Sequence, residues 1–364
     1  MSGPRDPGDP QLPALREADE RDRAAWDEFV RGRPEADPLQ LWVWGEVAAL
    51  GGEHPRRLLL EGPDRALRGI AQVLVRATSG GHTVLYAPHG PLWQREAADG
   101  PSLLAALLDG LRELARETRG ILVIVDPRAV PGDDAGTDAL GATLLGAGLR
   151  AARHDLQART TRLIALRDGG EALQASWHPD ARRRVRRAAK EGVTTTGARV
   201  GDPAALAAFH ELWLATGERA DFRTRSLEAV KALAYGSAAA DGWYLALAWH
   251  EGRAIAGVAC PRLADRGHYL WAASARDPEL THAYGGYAAL AALMVALAED
   301  AATTLDLWGV AEAEDAAADD AWAGFSSFKR KFDGQPLRHP GTFELVIDPV
   351  WYRLRALRER VGGG

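Results

Sequence analysis

The chain has a single cysteine, Cys260, in 364 residues. One thiol excludes an intrachain disulfide and a cysteine-based zinc site. The histidines are scattered with no HExxH arrangement, so no metal is expected. No apolar run reaches the about 20 residues that cross a bilayer, and the N-terminal MSGPRDPGDP has no apolar signal core. The expected location is therefore the cytoplasm. Positive charge is not in excess either. The net charge is -6, so a polyanion must be met by a local basic patch, not by the protein as a whole. Hydrophobic content of 46% and charged content of 26% are ordinary for a globular chain, and the length allows two domains.

What is present centres on Leu305 to Gly334. LDLWG reads as a short buried strand ending at Trp308-Gly309, and an acidic, alanine-rich spacer leads to GFSSFKRKFDG. Phe325, Phe328 and Phe332 fall at i, i+3 and i+7, one face of a helix, with Lys329 and Arg330 projecting beside it. Rings next to cations suit a stacked base with a nearby phosphate, and a lone lysine can steady an oxyanion in acyl transfer. A core helix with solvated lysines gives the same pattern.

Residues 1 to about 20 are Pro/Asp/Arg-rich and expected to lack structure. A helix fits Glu20 to Arg31. PLQLWVWGEVAALGG follows, where Trp42 and Trp44 read as a core pair or as binding rings. Leu67 to Arg76 and Thr83 to Tyr86 read as strands joined by Ser79-Gly80-Gly81, ending in the loop YAPHGP. Leu103 to Glu117 is an amphipathic helix, ILVIVDP a buried strand, and Pro131 to Thr137 a loop. Asp126 of IVDP reads equally as a strand-end cap or a catalytic acid.

The same order recurs. Trp243 to Trp249, Ala254 to Pro261 and His268 to Ala272 read as strands, Tyr287 to Glu299 as a helix, and Thr304 to Trp308 as a strand. GIAQV at Gly69 aligns with AIAGV at Ala254, and VLYA at Val84 with YLWA at Tyr269, both offset by 185 positions. Two similar strand–strand–helix–strand domains in tandem are expected: 1–158, completed by 337–364, and 159–336. Between the repeats, WHPDARRRVRRAAKEGV is a helix carrying Arg182, Arg183, Arg184, Arg186, Arg187 and Lys190. Six cations on so short a helix repel one another, which points to a bound polyanion. Arg183, Arg186, Arg187 and Lys190 are the candidates for nucleic-acid contact. A basic loop with Arg219, Arg223 and Arg225 follows.

In order, QLWVWGEVAALGG, YAPHGP, IVDP, TRLIAL, RRRVRRAAKEGV, WLATGERADFRTRS, LDLWGV and GFSSFKRKFDGQP resemble the motifs of the Fem family of non-ribosomal peptidyltransferases. They span roughly Gln40 to Pro336. The resemblance implies an α/β fold of mixed sheets, two tandem GNAT-like acyltransferase domains, without the helical-hairpin insert that some members carry. It implies transfer of an amino acid from aminoacyl-tRNA to an amine on the stem peptide of a peptidoglycan precursor, lipid-linked or UDP-linked. The partners would be that tRNA and that precursor, with a peripheral contact to the membrane surface and a monomeric enzyme that needs no cofactor. By position, Tyr86, Arg219 and Phe222 fall in the precursor site, in the first domain and the groove between domains. The transition-state lysine falls on Lys329 and the stacking aromatic on Phe328. Trp44, Arg225, Tyr287, Trp308 and Arg330 complete the expected substrate-binding set. One departure stands out: where the family often has a lysine after W-G-E, this chain has Val47-Ala48-Ala49.

Aminoacyl transfer from an ester to an amine needs positioning of the amine and a donor for the oxyanion, but no covalent nucleophile. Cys260 therefore reads as core, and no residue stands out as general base. Two rivals remain. An acyl-CoA-dependent N-acyltransferase would hold its pyrophosphate at THAYGGYAAL, where Gly285 and Gly286 have no arginine beside them in sequence. A non-catalytic RNA-binding protein would use only the arginine helix.

Overall fold

The computed structural model describes residues 14–166, 170–236, 242–280, 282–311 and 323–361. The chain divides into two compact units, Met1–Gln157 with Pro340–Gly364, and Ala158–His339. The first unit contains β1 (Ala14–Glu17), α1 (Arg23–Arg31), α2 (Trp42–Leu50), β2 (His54–Glu61), β3 (Leu67–Ala77), β4 (Thr83–Ala87), β5 (Leu92–Trp93), α3 (Gly100–Glu117), β6 (Gly120–Val125), α4 (Asp134–Gly146) and β7 (Arg150–Ala151). The second opens with β8 (Thr160–Ala165), α5 (Gly170–Ser176), α6 (Pro179–Lys190), β9 (Thr194–Arg199), α7 (Pro203–Ala220) and α8 (Leu227–Gly236). It continues with β10 (Trp243–His250), β11 (Arg253–Leu263), β12 (Arg266–His268), β13 (Trp271–Ser274), α9 (Gly285–Glu299), β14 (Thr304–Asp306), α10 (Ala323–Arg330) and β15 (Gln335–Arg338). β16 (Phe343–Val346) and α11 (Pro349–Val361) then return to the first unit.

Each unit is built on one mixed sheet. The orders are β1-β2-β3-β4-β6-β16-β7, with β5 on β3, and β15-β8-β14-β12-β11-β10-β9, with β13 on β11. In both, a long antiparallel hairpin (β2–β3, β10–β11) leads to a third antiparallel strand. That strand pairs in parallel with the strand behind the crossover helix, β4 with β6 and β12 with β14. A parallel pair needs such a crossover, supplied by α3 and α9. An antiparallel strand distant in sequence then closes each ladder, β16 on β6 and β8 on β14. Helix α3 buries Leu103, Leu107, Leu111 and Leu114 against Val73, Leu85 and Val123. Helix α9 buries Leu290, Leu293, Met294 and Leu297 in a core that includes Val258, Cys260 and Leu305. Each such leucine contributes about 1.5–3 kcal/mol.

Several expectations are corrected. Residues 14–17 are not structureless. Arg16 pairs with Asp22 at 2.6 Å and Glu61 at 2.9 Å, and Leu15 fills the space over Gly110, where a Cβ would stand 2.2 Å from it. The charged composition hid a strand held by ion pairs. The loop expected over Pro131 to Thr137 gives way to α4 from Asp134, because the Asp133 carboxylate caps the Gly136 N–H at 2.8 Å. HYLWA is not one strand, since Tyr269 and Leu270 lie between β12 and β13. The strand LDLW ends at Asp306, and Trp308 turns away with φ of 58°. Among the described residues no helical-hairpin insert is present.

Candidate active site

Strand β14 runs into the second unit's core and stops where the Asp306 carboxylate takes over hydrogen bonding. Its Oδ1 accepts from Thr161 Oγ1 at 2.5 Å and from the Trp308 N–H at 2.7 Å. This fixes the left-handed turn at Trp308 and aims the Leu307 and Gly309 carbonyls at one point. Lys329, from the last turn of α10, occupies that point. Its Nζ donates to the Leu307 carbonyl at 2.5 Å and the Gly309 carbonyl at 2.9 Å. The same Nζ lies 4.6 Å from the Tyr269 ring centroid and 4.1 Å from that of Phe325. Lys329 is 1% exposed, so it does not project beside the Phe face as the sequence led us to expect. Burial pushes its pKa well below the usual lysine value, with Asp306 acting the other way. Two carbonyls and two ring faces surround the amine, and each favours its charged form against that burial.

The neighbouring aromatics divide by burial. Phe332 lies beyond the end of α10 and is fully buried, stacked on Tyr287 at 5.6 Å and edge-on to Trp177 at 5.2 Å. Phe328 is half-buried, edge-on to Tyr287 at 4.7 Å, and Phe325 is exposed. Arg184 reaches the Tyr287 hydroxyl at 3.1 Å and lies 5.3 Å from the Tyr284 ring. Arg330 donates to the Ala311 carbonyl. The structure thus gathers Lys329, Phe328, Arg330, Tyr287 and Trp308 on the elements around the end of β14. Beside Gly285-Gly286, at the start of α9, lies a recess of about 490 Å³ lined by Ile255, Arg276, Asp277 and Tyr284. The sequence showed no arginine there. Arg276 arrives from the turn after β13, nine residues before Gly285, which local reading of the Gly-Gly segment misses.

The basic helix α6 is less self-repelling than its sequence suggested. Asp180, at its first turn, pairs with Arg183, with Arg184 at 3.1 Å and with Lys331 at 2.5 Å, and Glu191 pairs with Arg187 at 2.5 Å. Of the nucleic-acid candidates, Arg183 and Arg187 are therefore paired with acids, while Arg186 and Lys190 are exposed. Arg219 is exposed at the end of α7 and donates to the Ser274 carbonyl at 3.1 Å. Phe222 is exposed, and the Arg225 carbonyl bonds the His210 ring at 2.9 Å. All three belong to the second unit.

In the first unit Tyr86 is buried at the end of β4. It donates to Asp126 at 2.7 Å and accepts from Gln157 Nε2 at 2.9 Å. The His89 N–H also donates to Asp126, at 2.5 Å, and the His89 ring meets Asp37, which Arg128 pairs at 2.5 Å. Burial raises the Asp126 carboxyl to about 6, and burial followed by the Asp126 charge raises Tyr86 well above its usual value. The sequence left Asp126 open between cap and acid. The structure makes it the acceptor for the loop after β4, with a pKa in the physiological range. Trp44 is buried in α2, as in the core reading. A Cβ at Gly45 beside it would lie 2.5 Å from Gln72 Oε1 and Arg57 Nη2, so a side chain there would displace both. Val47 and Ala48, where a lysine was looked for, are fully buried and present no cation. Cys260 is fully buried, and burial raises its thiol pKa.

Comparison with known proteins bears on the fold. An acetyltransferase (GNAT) domain family matches residues 179–330. The crystal structure of FemX superposes with a TM-score of 0.77 at 21% identity, covering 94% of this chain and 99% of that one. A tandem GNAT protein from the clavulanic acid biosynthesis pathway gives 0.55 at 14% identity, covering 93% and 99%. The chain thus has the fold of tandem GNAT-like proteins, and its residues 179–330 match the GNAT domain family. In sequence it is 31% identical over 209 residues to the lipid II:glycine glycyltransferase of Staphylococcus aureus, covering 55% of this chain and 47% of that protein. The chain spans about half the length of the curated relatives it matches. In sequence, part of the chain is thus similar to that glycyltransferase, and its fold is similar to that of FemX.

Proposed function

We propose that the protein is an aminoacyltransferase that moves an amino acid from aminoacyl-tRNA to an amine on the stem peptide of a peptidoglycan precursor. The observation that carries this reading is the buried Lys329 ammonium held at the end of β14, in the unit that matches the GNAT domain. Its relatives are named for glycine transfer on lipid II, which supports a lipid-linked precursor as acceptor. Esters are activated acyl donors, so the enzyme's task is to place a neutral amine on the ester carbonyl and stabilise the oxyanion. Lys329 supplies the positive charge for that oxyanion, and the half-buried Phe328 offers a face for the terminal base of the donor. Tyr86 is the proposed precursor contact, with its hydroxyl oriented by Asp126. No protein base is assigned, because the leaving ribose oxygen can take the amine proton.

A second reading has one observation in its favour. The recess at Gly285-Gly286 with Arg276 could take the pyrophosphate of an acyl-CoA. Incubation with a pool of labelled aminoacyl-tRNAs and lipid II, read by mass spectrometry, tests the first reading directly. A single aminoacyl residue added to the stem peptide is expected. No product with any charged tRNA, together with tight binding of CoA, would replace it with the second.

A further inference from the structure

Helices α6 and α9 and the edge strand β9 leave a groove of about 360 Å³ on the second unit, with Gln174, Thr195 and Glu299 among its lining residues. Its walls are mainly alanine and valine, including Val185, Ala189, Val193, Ala292 and Val295. No aromatic ring lines it, and its only acid is Glu299, the last residue of α9. Along α6, Val185 and Ala189 face the groove. Arg182, Arg186 and Lys190 stand at i, i+4 and i+8, in the adjacent stripe of the helix surface. Among the described residues their side chains form no ion pair or hydrogen bond, in contrast to Arg183, Arg184 and Arg187. A row of three open cations therefore borders a trough whose floor is mainly alanine and valine.

We propose that this groove is a seat for an anionic phospholipid. An acyl chain lies along the alanine and valine floor, and the phosphate rests on Arg182, Arg186 and Lys190. The charge row alone would suit RNA equally. The floor decides between them, because unstacked bases seek aromatic platforms and none is present here, whereas alanine and valine suit a methylene chain. A seat of this kind holds a protein to a lipid surface by one bound headgroup and its chain. The inference stands apart from the transfer reaction, since it concerns binding that needs neither donor nor acceptor.

The test is flotation of the full chain with vesicles of phosphatidylcholine alone or mixed with phosphatidylglycerol. Binding is expected only on the mixed vesicles. Each cation near an anionic surface is worth about fivefold, so Arg182→Gln with Arg186→Gln and Lys190→Gln should weaken binding about a hundredfold. Ala189→Glu, which places a carboxylate at an exposed position in the groove, should weaken it as well. A charge-matched control on other elements, Arg116→Gln with Arg253→Gln and Arg338→Gln, should keep most of it. Equal binding to both vesicles, or mixed-vesicle binding that survives the α6 triple variant, would overturn the proposal. So would a short single-stranded RNA that binds through the same three residues while the vesicles do not.

Discussion

Lys329 is one of four lysines in a chain with forty arginines, and two of the four lie in the Lys329–Lys331 stretch. Where arginine is the default cation, a lysine marks a place a guanidinium does not fit. A slot that is 1% exposed, bounded by two carbonyls and two rings, is such a place. Lys329→Met should cut the transfer rate by roughly 10²–10³. It should cost only about 1–3 kcal/mol of stability, for the two carbonyls left without a donor. Lys329→Arg should rescue poorly. A Lys329→Met enzyme at full rate in the lipid II assay would remove the lysine from the mechanism. Asp126 gives a second test at this scale. Burial lifts its carboxyl from the usual value of about 3.8 to about 6, so the folded state holds the proton more tightly. That contribution to stability is complete below about pH 4 and is lost as the pH rises through 6. It is worth on the order of 3 kcal/mol. The stability of the wild type relative to Asp126→Asn should fall across that window in urea titrations. A difference that stays flat from pH 4 to 7 would mean that Asp126 titrates normally.

At the scale of elements, what the sequence made legible was what local spacing determines. The hairpins, the crossover helices and the basic character of α6 were all readable from periodicity and charge. The offset between GIAQV and AIAGV located two long strands that play the same part, β3 and β11. What was not legible depended on partners far away in the chain. Three phenylalanines at i, i+3 and i+7 looked alike, yet Phe332 is sealed by Trp177 and Tyr287 while Phe325 is exposed. The depth of Lys329 was hidden for the same reason, because its carbonyl partners come from the end of β14. The pairing of Arg187 with Glu191, by contrast, follows from i,i+4 spacing alone. These placements separate two phenylalanines. Phe332→Ala should lower stability by about 3–5 kcal/mol, as for a large core ring. Phe328→Ala should lower it less and weaken donor binding by about 1–3 kcal/mol, the worth of one stacked base. Thermal melts alongside a donor titration check both. Equal melting losses with unchanged donor affinity would make Phe328 ordinary core.

For the whole molecule, the governing feature is that the first unit's sheet is completed from the far end of the chain. β16 lies between β6 and β7, and Phe343 and Leu345 enter that unit's core. A chain ending at His339 should therefore keep the second unit resistant to protease while the first is digested. Equal resistance of both units would show β16 to be dispensable. The same arrangement sets a timetable during synthesis. β6 is complete at Val125, but its neighbour begins only at Phe343. At about 5–20 residues per second the ribosome needs roughly 10–40 s to bridge that gap. Throughout this interval the edge of β6 is unpaired and open to other strands. The half translated first is thus the half finished last, and in a crowded cell its yield should depend on chaperone cover more than that of the half made after it.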